Sequence, residues 1–315
     1  MLVLDAAETR AALPWGGLVT ALEDLFAKGC VMPVRHHHDV EVPGEADATL
    51  LLMPAWRPGA YMGVKMVSVF PGNQTRGLPA IHGSYLLSSG KTGELLAILD
   101  GGELTARRTA AASALAARYL ARQDASSMLM VGTGRLSANV IEAHASVRPI
   151  RKVAVWGRDP KKAEATAEEL DLGNISVSVA TDLEAAAREA DIISCATLSS
   201  EPLIRGDWLK RGAHLDLIGA FKPTMRESDD RAATRASIFV DTREGALKEG
   251  GDIVQPLKAG LITEAAIRAD LFALARGEHP GRTAPDEITL FKSVGAALED
   301  LAGAVLAFEA KRGKV

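Results

Sequence analysis

Hydrophobic and polar positions follow two different periods along this chain, and the change between them falls near its first third. Residues 1–4 form a short apolar run. A helical pattern follows in which Leu18, Leu22, Leu25 and Phe26 share one face and predict an ordinary core helix. Next comes a Pro-led strand, Met32-Pro33-Val34-Arg35, running into His36-His37-His38-Asp39-Val40. Then short apolar runs alternate with turn residues: Leu50-Leu51-Leu52-Met53, a Pro58-Gly59 turn, residues 61–70, the turn Pro71-Gly72-Asn73, residues 78–87, and Ser89-Gly90-Lys91-Thr92-Gly93 as a hairpin into residues 94–99. This punctuation predicts mainly antiparallel β structure over the first hundred residues.

From Leu104 the period becomes helical. Leu104-Thr105-Ala106-Arg107-Arg108-Thr109 opens an Ala-rich helix predicted to run to Ala121, with Thr105 as its cap. Beyond it strands and helices alternate: strands at 128–131, 152–156, 175–179, 191–197, 214–220 and 237–241, with helices at 161–170 and 182–189 between them. Finally the run Ile288-Thr289-Leu290-Phe291-Lys292-Ser293-Val294-Gly295 leads into a helix over 296–310, whose apolar positions are Leu298, Leu301, Ala302, Val305 and Leu306. Such alternation implies a parallel, doubly wound sheet. The fold class expected is therefore α/β: a doubly wound parallel dinucleotide-binding sheet over 122–291, plus a β-rich substrate and dimerisation domain made of 1–121 with 292–315.

The strongest chemical signal lies where the first of these strands meets its helix. Met128-Leu129-Met130-Val131 ends in Gly132-Thr133-Gly134-Arg135-Leu136-Ser137 and passes into a helix with Val140, Ile141 and Ala143 on one side, Asn139 and Glu142 on the other. Gly132 permits a tight turn, Gly134 lets a pyrophosphate approach backbone, and the free N–H groups and dipole of the helix start attract phosphate. Ser137 takes the third small position. The next strand ends in Gly157-Arg158-Asp159-Pro160, where an acidic residue selects a ribose 2′-hydroxyl and an arginine accommodates a 2′-phosphate. Arg158 comes first, with Lys162 one turn on, which points to NADPH, with NADH the alternative.

Size and charge narrow the rest. With 315 residues, 47% hydrophobic and 24% charged, and a net charge of −4, the chain suits a two-domain globular enzyme and offers no basic field for nucleic acid. No apolar run reaches about 18 residues without a charge, and no basic-then-apolar leader opens the chain, so a cytoplasmic protein off the membrane is expected. Cys30 and Cys195 are read as buried free thiols. His36 and His38 point one way on a strand and His37 the other, so no metal is expected there. Lys65 stands alone among apolar strand neighbours, either snorkelling from an edge or holding an anion. Arg107 and Arg108 diverge by about 100° on a helix, so one can face a cleft while the other solvates. Asp191 reads as a cap or turn residue, and Asp216 as core-paired or functional.

Several separate motifs in order resemble the ornithine cyclodeaminase and mu-crystallin family: Val64-Lys65 through Phe70-Pro71-Gly72-Asn73, Leu104-Thr105-Ala106-Arg107-Arg108-Thr109-Ala110-Ala111, Gly132-Thr133-Gly134, Gly212-Ala213-His214, and Leu290-Phe291-Lys292-Ser293-Val294-Gly295 with Asp300. The resemblance implies an NAD(P)-dependent enzyme acting on the C2–N bond of an amino or imino acid, a homodimer built through the β-rich domain, and a C-terminal helix that returns to the N-terminal domain. It implies that Arg35, Lys65 and Arg108 hold the substrate carboxylate, with Lys65 and Arg108 the catalytic pair. It further implies that His82, Thr109, Ala196, Thr197, Ile218, Ser293 and Val294 line the nicotinamide and substrate cleft. The carboxylate roles also suit the chemistry, since a guanidinium grips a carboxylate with two charge-assisted hydrogen bonds and an ammonium adds a point charge.

One departure is informative. Family deaminases carry an aspartate for proton transfer just after the strand His-Ile-Asn-Ala-Val-Gly-Gly-Asp, where this chain reads His214-Leu215-Asp216-Leu217-Ile218-Gly219-Ala220-Phe221. Phenylalanine can accept no proton. Expelling ammonia needs managed proton traffic, whereas reduction of a protonated cyclic imine needs less. Mu-crystallin-like ketimine reductases share the lack, so the expected activity is reduction of Δ1-pyrroline-2-carboxylate to L-proline, or of Δ1-piperideine-2-carboxylate to L-pipecolate. The alternatives are an ornithine cyclodeaminase, an alanine-dehydrogenase-like enzyme, or an NADPH-dependent small-ligand binder like mu-crystallin.

Overall fold

The computed structural model describes residues 1–313, and the chain divides into two compact units: Met1–Arg108 with the segment from Ala297 onward, and Thr109–Ala296. The first unit holds β1 (Leu2–Leu4), α1 (Ala6–Ala11), α2 (Trp15–Lys28), β2 (His36–Val40), β3 (Ala48–Trp56), β4 (Tyr61–Val69), β5 (Ile81–Ser89), β6 (Leu95–Asp100) and the start of α3 (Gly101–Leu120). Its strands form one mixed sheet in the order β1-β6-β5-β4-β3-β2, antiparallel throughout except that β1 runs parallel to β6. Period-two alternation gives the sheet two unlike faces. Met53, Lys65, Tyr85 and Leu99 pair in one row and are buried. Leu50, Leu52, Val64 and Leu86 are half-buried and Met62 and Met66 exposed on the opposite face.

The chain's last helix, α11 (Ala297–Arg312), lies in this first unit against α2, β3, β4 and β5, as the resemblance implied. Gly303 lies close to α3, where a Cβ would sit 2.7 Å from the Leu104 side chain and would require it to shift.

The second unit is the expected parallel, doubly wound sheet. It contains β7 (Ser127–Val131), α4 (Leu136–Ala145), β8 (Lys152–Trp156), α5 (Pro160–Glu168), β9 (Ser176–Val179), α6 (Leu183–Glu189), β10 (Ile192–Cys195), β11 (His214–Leu217), α7 (Asp230–Arg235), β12 (Ser237–Val240), α8 (Arg243–Glu249), α9 (Gly251–Lys258), β13 (Ile267–Asp270), α10 (Leu271–Ala275) and β14 (Thr289–Lys292). All eight strands are parallel, in the order β13-β12-β14-β11-β10-β7-β8-β9. The chain moves outward from β7 to β9 and then crosses to β10 on the other side of β7, which makes the gap between β7 and β10 the topological switch point. Open α/β sheets bind ligands there.

Some sequence expectations need correction. Helix α3 begins at Gly101, and Asp100 is the residue whose carboxylate accepts from the Glu103 N–H at 2.6 Å; Thr105 lies one turn in, its hydroxyl donating to the Gly101 carbonyl at 2.7 Å. The helix can start early because Gly101 packs on β5, where a Cβ would fall 2.6 Å from the Gly83 backbone. Asn139, assigned to the polar side of α4, is buried, with its amide donating to the Arg135 carbonyl at 3.1 Å. Arg35 precedes β2 rather than ending a strand. Cys30 is half-buried, though Cys195 is buried as expected and both are free.

Candidate active site

Two constellations carry chemistry, one in each unit. In the second unit, the switch point opens into a crevice of about 490 Å³ lined by Gly132, Thr133, Gly134, Trp156, Gly157, Arg158, Asp159, Lys162, Ala196, Thr197, Leu198, Ser199 and Leu203. The glycines have separate reasons to be there. Gly132 has φ of 122°, and a Cβ on it would lie 2.8 Å from the Ala196 carbonyl, so only glycine fits. Around Gly134 a Cβ would meet nothing within 4 Å, which leaves backbone open to an incoming group. Ser137 donates its hydroxyl to the Gly132 carbonyl at 2.9 Å and fixes the turn from within. No side chain caps the first turn of α4 and no acidic residue lies in it, which leaves the positive end of the helix dipole open to a phosphate. The crevice therefore fits a dinucleotide.

Among the residues that line it, Arg158 and Asp159 are both exposed, but Asp159 is also a helix cap, its carboxylate accepting from the Lys161 N–H at 3.1 Å at the start of α5. Arg135, Leu136 and Lys162 sit at the starts of α4 and α5 as expected. Outside the residues that line this crevice, Ile218 and Ser293 are buried and Val294 half-buried, in the loops that follow β11 and β14. Asp241, fully buried, organises the second of these: one carboxylate oxygen accepts from the Ser293 hydroxyl at 3.0 Å and from the Val294 and Gly295 N–H groups at 2.7 Å each. Hydrophobic patterning marks Asp241 only as a strand residue, although an aspartate closing a buried strand is a signal that could have found it.

In the first unit, Lys65 and Arg108 do converge, but on protein carboxylates. Lys65 Nζ lies 3.0 and 2.8 Å from the two oxygens of Asp300; Arg108 donates through Nε to Asp300 at 2.9 Å and through Nη1 to Glu299 at 2.5 Å. All four side chains are buried. Lys65 thus sits in the interior of the sheet rather than at an edge. Burial, with Arg108 beside it, pushes its pKa down to about 8 against the pull of Asp300. Burial also acts to lower Arg108, but Asp300 and Glu299 outweigh it and raise its pKa. Tyr85, opposite Lys65 in the register, is buried with a hydroxyl that has no hydrogen-bond partner among the described residues.

Arg107 resolves differently from the expectation that it solvates. It is buried, its Nε donates to the Leu13 carbonyl at 2.9 Å, and its guanidinium lies 3.8 Å from the Trp15 ring centroid. Arg35 is half-buried and lies just before His36, the first β2 residue, which pairs with Leu52 on β3. Thr109 follows Arg108 on α3 and is half-buried. His82 is not brought to Lys65: it pairs with Ser68, so alternation places it on the other face of the sheet, where it is exposed. His36, His37 and His38 are exposed on β2, and no group of three or more metal-ligating side chains is placed to hold an ion among the described residues.

Asp216 proves to be a core-paired residue. It accepts from Ser113 at 3.0 Å and Ser194 at 2.5 Å and faces His144 Nε2 at 3.3 Å, fully buried on β11. Asp191 closes the amino-terminal end of the sheet, accepting from the Ser126 and Ser127 N–H groups and pairing with Lys210 at 2.8 Å.

Comparison with known proteins agrees with this geometry. The family model described as "Ornithine cyclodeaminase/mu-crystallin family" matches residues 8–314. A Δ1-pyrroline-2-carboxylate reductase of Paracoccus denitrificans is 39% identical over 299 residues, covering 95% of this chain and 93% of that protein. The structure of Thermococcus litoralis Δ1-pyrroline-2-carboxylate reductase in complex with NADH and L-proline superposes with a TM-score of 0.92 at 34% identity, covering 100% of this chain and 98% of that one. An archaeal alanine dehydrogenase dimer with bound NAD gives a TM-score of 0.90 at 31% identity, covering 100% and 97%.

Proposed function

We propose that this chain, which belongs to the ornithine cyclodeaminase/mu-crystallin family of NAD(P)-dependent oxidoreductases, is a ketimine reductase that converts a small cyclic imino acid to the corresponding L-amino acid. Δ1-Pyrroline-2-carboxylate is the first substrate expected and Δ1-piperideine-2-carboxylate the second. The observation that carries the reading is Phe221, at the mouth of the β11 loop, where a deaminase needs a proton acceptor. Neither nearby carboxylate substitutes for it: Asp216 and Glu227 are fully buried and each is engaged by several donors.

In this reading Gly132–Ser137, Gly157–Asp159 and Lys162 hold the dinucleotide, and Ala196, Thr197, Ile218, Ser293 and Val294 border its nicotinamide. When bound, the reduced nicotinamide supplies the hydride. Lys65, Arg108 and Arg35 hold the substrate carboxylate and so orient C2 of the imine, while the ring nitrogen enters already protonated. Arg158 favours NADPH, because Asp159 is occupied as a helix cap and is less free to take a ribose hydroxyl. The NADH of the Thermococcus relative supports NADH as the alternative.

An alanine-dehydrogenase-like reaction is the second reading, supported by the archaeal relative. A small-ligand binder without turnover is disfavoured by a buried two-cation, two-carboxylate cluster, which an apolar ligand has no use for. Assembly as a homodimer through the first unit is supported by the apolar face of its sheet: Leu50, Leu52, Val64 and Leu86 are half-buried and Met62 and Met66 exposed. The test of activity is NAD(P)H oxidation across a panel of five- and six-membered cyclic imines, pyruvate with ammonia, and L-ornithine with NAD⁺. Turnover confined to pyruvate with ammonia, or robust ammonia release from ornithine, would replace the reductase reading.

A further inference from the structure

The loop that follows β10 lines the cofactor crevice, and the loop that follows β11 packs against it. The connection comes from below. Glu227, on the segment between β11 and α7, is fully buried, and its carboxylate reaches both loops. One oxygen accepts from the Thr197 N–H at 2.6 Å and the Thr197 hydroxyl at 2.8 Å; the other accepts from the N–H groups of Gly219 at 2.8 Å and Ala220 at 3.3 Å. The loops are packed so closely that a Cβ on Gly219 would fall 2.0 Å from the Thr197 carbonyl and 2.6 Å from Glu227 Oε1.

Behind the carboxylate lies a second buried layer. Lys292, the lysine of Leu290-Phe291-Lys292-Ser293, has its ammonium 4.0 Å from Glu227 and 3.1 Å from Asp252, and is itself fully buried in the middle of the sheet. The other oxygen of Asp252 accepts from the Glu227 and Ser228 N–H groups at 2.8 and 2.9 Å. Cys195, at the end of β10, also feels Glu227, so Lys292, Asp252 and Cys195 are the ionisable groups that face it. Four donors and one ammonium converge on a side chain that no substrate can touch. A carboxylate accepts all four hydrogen bonds only when ionised.

We propose that Glu227 is a positioning residue for the dinucleotide: its ionised carboxylate, held by Lys292, locks the Thr197 and Gly219 loops in the form that receives the nicotinamide half, so that cofactor affinity depends on its charge. This rests on the assignment of the crevice to a dinucleotide. Protonation removes one acceptor and turns it into a donor facing N–H groups, so the clamp loosens. Burial raises the Glu227 pKa above the ordinary carboxylate range, opposed by Lys292, which brings that event towards the physiological range. The sign for stability is the reverse. A carboxyl whose pKa is raised by folding binds more protons folded than unfolded, so acidification through that range stabilises the fold while it weakens cofactor binding.

The measurement is the NADH dissociation constant by fluorescence titration from about pH 6 to about pH 8.5, on the full-length wild type, Glu227→Gln and Glu227→Asp. Wild-type affinity should fall at least about tenfold towards the acid end, a change of about 1.4 kcal/mol. Glu227→Gln should bind NADH about tenfold more weakly at the alkaline end and lose the pH dependence, with a raised cofactor KM and a much smaller change in kcat; Glu227→Asp should recover part of both. A merely structural glutamate would lower the melting temperature and leave the NADH constant and its pH profile alone, and that result overturns the proposal. Should Glu227→Gln not fold, a wild-type constant that is flat across the range overturns it equally. Should NADH not bind wild type, NADPH takes its place in the same titrations, and failure of both at every pH would instead overturn the cofactor assignment beneath it.

Discussion

Removing Asp300 tests the charge network at the heart of the first unit. In wild type its two oxygens serve Lys65 at 2.8 and 3.0 Å and Arg108 at 2.9 Å, with the Lys65 and Asp300 side chains 3% and 0% exposed. Replacing it by asparagine keeps the volume and an acceptor but leaves an ammonium without a counter-charge, since Glu299 engages Arg108 at 2.5 Å. Breaking a buried ion pair from one side costs about 3 to 5 kcal/mol. Lys65 has an escape, however, because it can lose its proton. Its pKa is already lowered from 10.5 to about 8, and Asp300→Asn lowers it further. A base with a depressed folded pKa binds fewer protons folded than unfolded above that pKa, so stability rises with pH there. In wild type that rise starts near pH 8. In the variant it starts lower, so the deficit should shrink by about 1.4 kcal/mol from about pH 7 to about pH 8 and then level off. Hydrogen exchange at the β4 and β5 amides reads the stability of this unit without assuming that the two units unfold together. Adding Lys65→Met to Asp300→Asn should return most of the loss. A deficit under about 1 kcal/mol, or a double mutant whose loss is the sum of the single losses, would mean that the network is not the electrostatic unit its distances describe.

The remaining expectations concern neighbouring residues. Arg107→Ala should cost about 1 to 3 kcal/mol of stability through its lost hydrogen bond and stacking on Trp15 while leaving kcat/KM near wild type. Arg108→Ala should lower kcat/KM for the cyclic imine by roughly ten- to a hundredfold or more, with Arg108→Lys an incomplete rescue because an ammonium cannot make a two-pronged grip; the opposite ranking of the two alanine variants would move the carboxylate site to Arg107. Arg158→Ala should weaken NADPH use and leave NADH nearly unchanged, and equal losses for both would remove its 2′-phosphate role. Purified enzyme given ornithine and NAD⁺ should release no appreciable ammonia; sustained release would require a proton acceptor other than Asp216 or Glu227.

What can be read from the sequence follows the range of each interaction. The dinucleotide turn is local: strand, glycine, glycine and helix lie within seventeen consecutive residues, with Gly132 fixed by the close approach of Ala196 and Gly134 leaving backbone open. The parallel sheet is legible for the same reason, because each βα unit advertises itself in a short window. Helices α7–α10 and strand β13 are not legible in this way. The helices are only five to eight residues long, too short for a periodic pattern to stand out from turns, and β13, Ile267-Arg268-Ala269-Asp270, lacks the apolar run that marks the equally short β10 and β12.

The ion network shows where such reading stops and why. Lys65 is conspicuous as a lone charge in an apolar strand, and burial without a partner would be costly. Its partner is 235 residues away on α11, and no local rule couples the two. The signal lies on the other side of the pair: Glu299-Asp300 falls inside the run Ala296-Ala297-Leu298 to Leu301-Ala302-Gly303-Ala304, and two adjacent carboxylates in a helix so apolar must either break its burial or find cations. Matching the charge in the strand with the charges in the helix would have predicted that the helix returns to the sheet before any resemblance was invoked. The same logic separates Arg107 from Arg108. Both are buried, but the aromatic ring and carbonyl that take Arg107 lie on α2 and just before it, whereas the carboxylates that take Arg108 lie on α11, so adjacent arginines are drawn in different directions from α3 by partners of different chemistry. A carboxylate pair, unlike a carbonyl and a ring, can hold a guanidinium fully charged in the interior, and that is the condition under which it can also receive the carboxylate of a substrate.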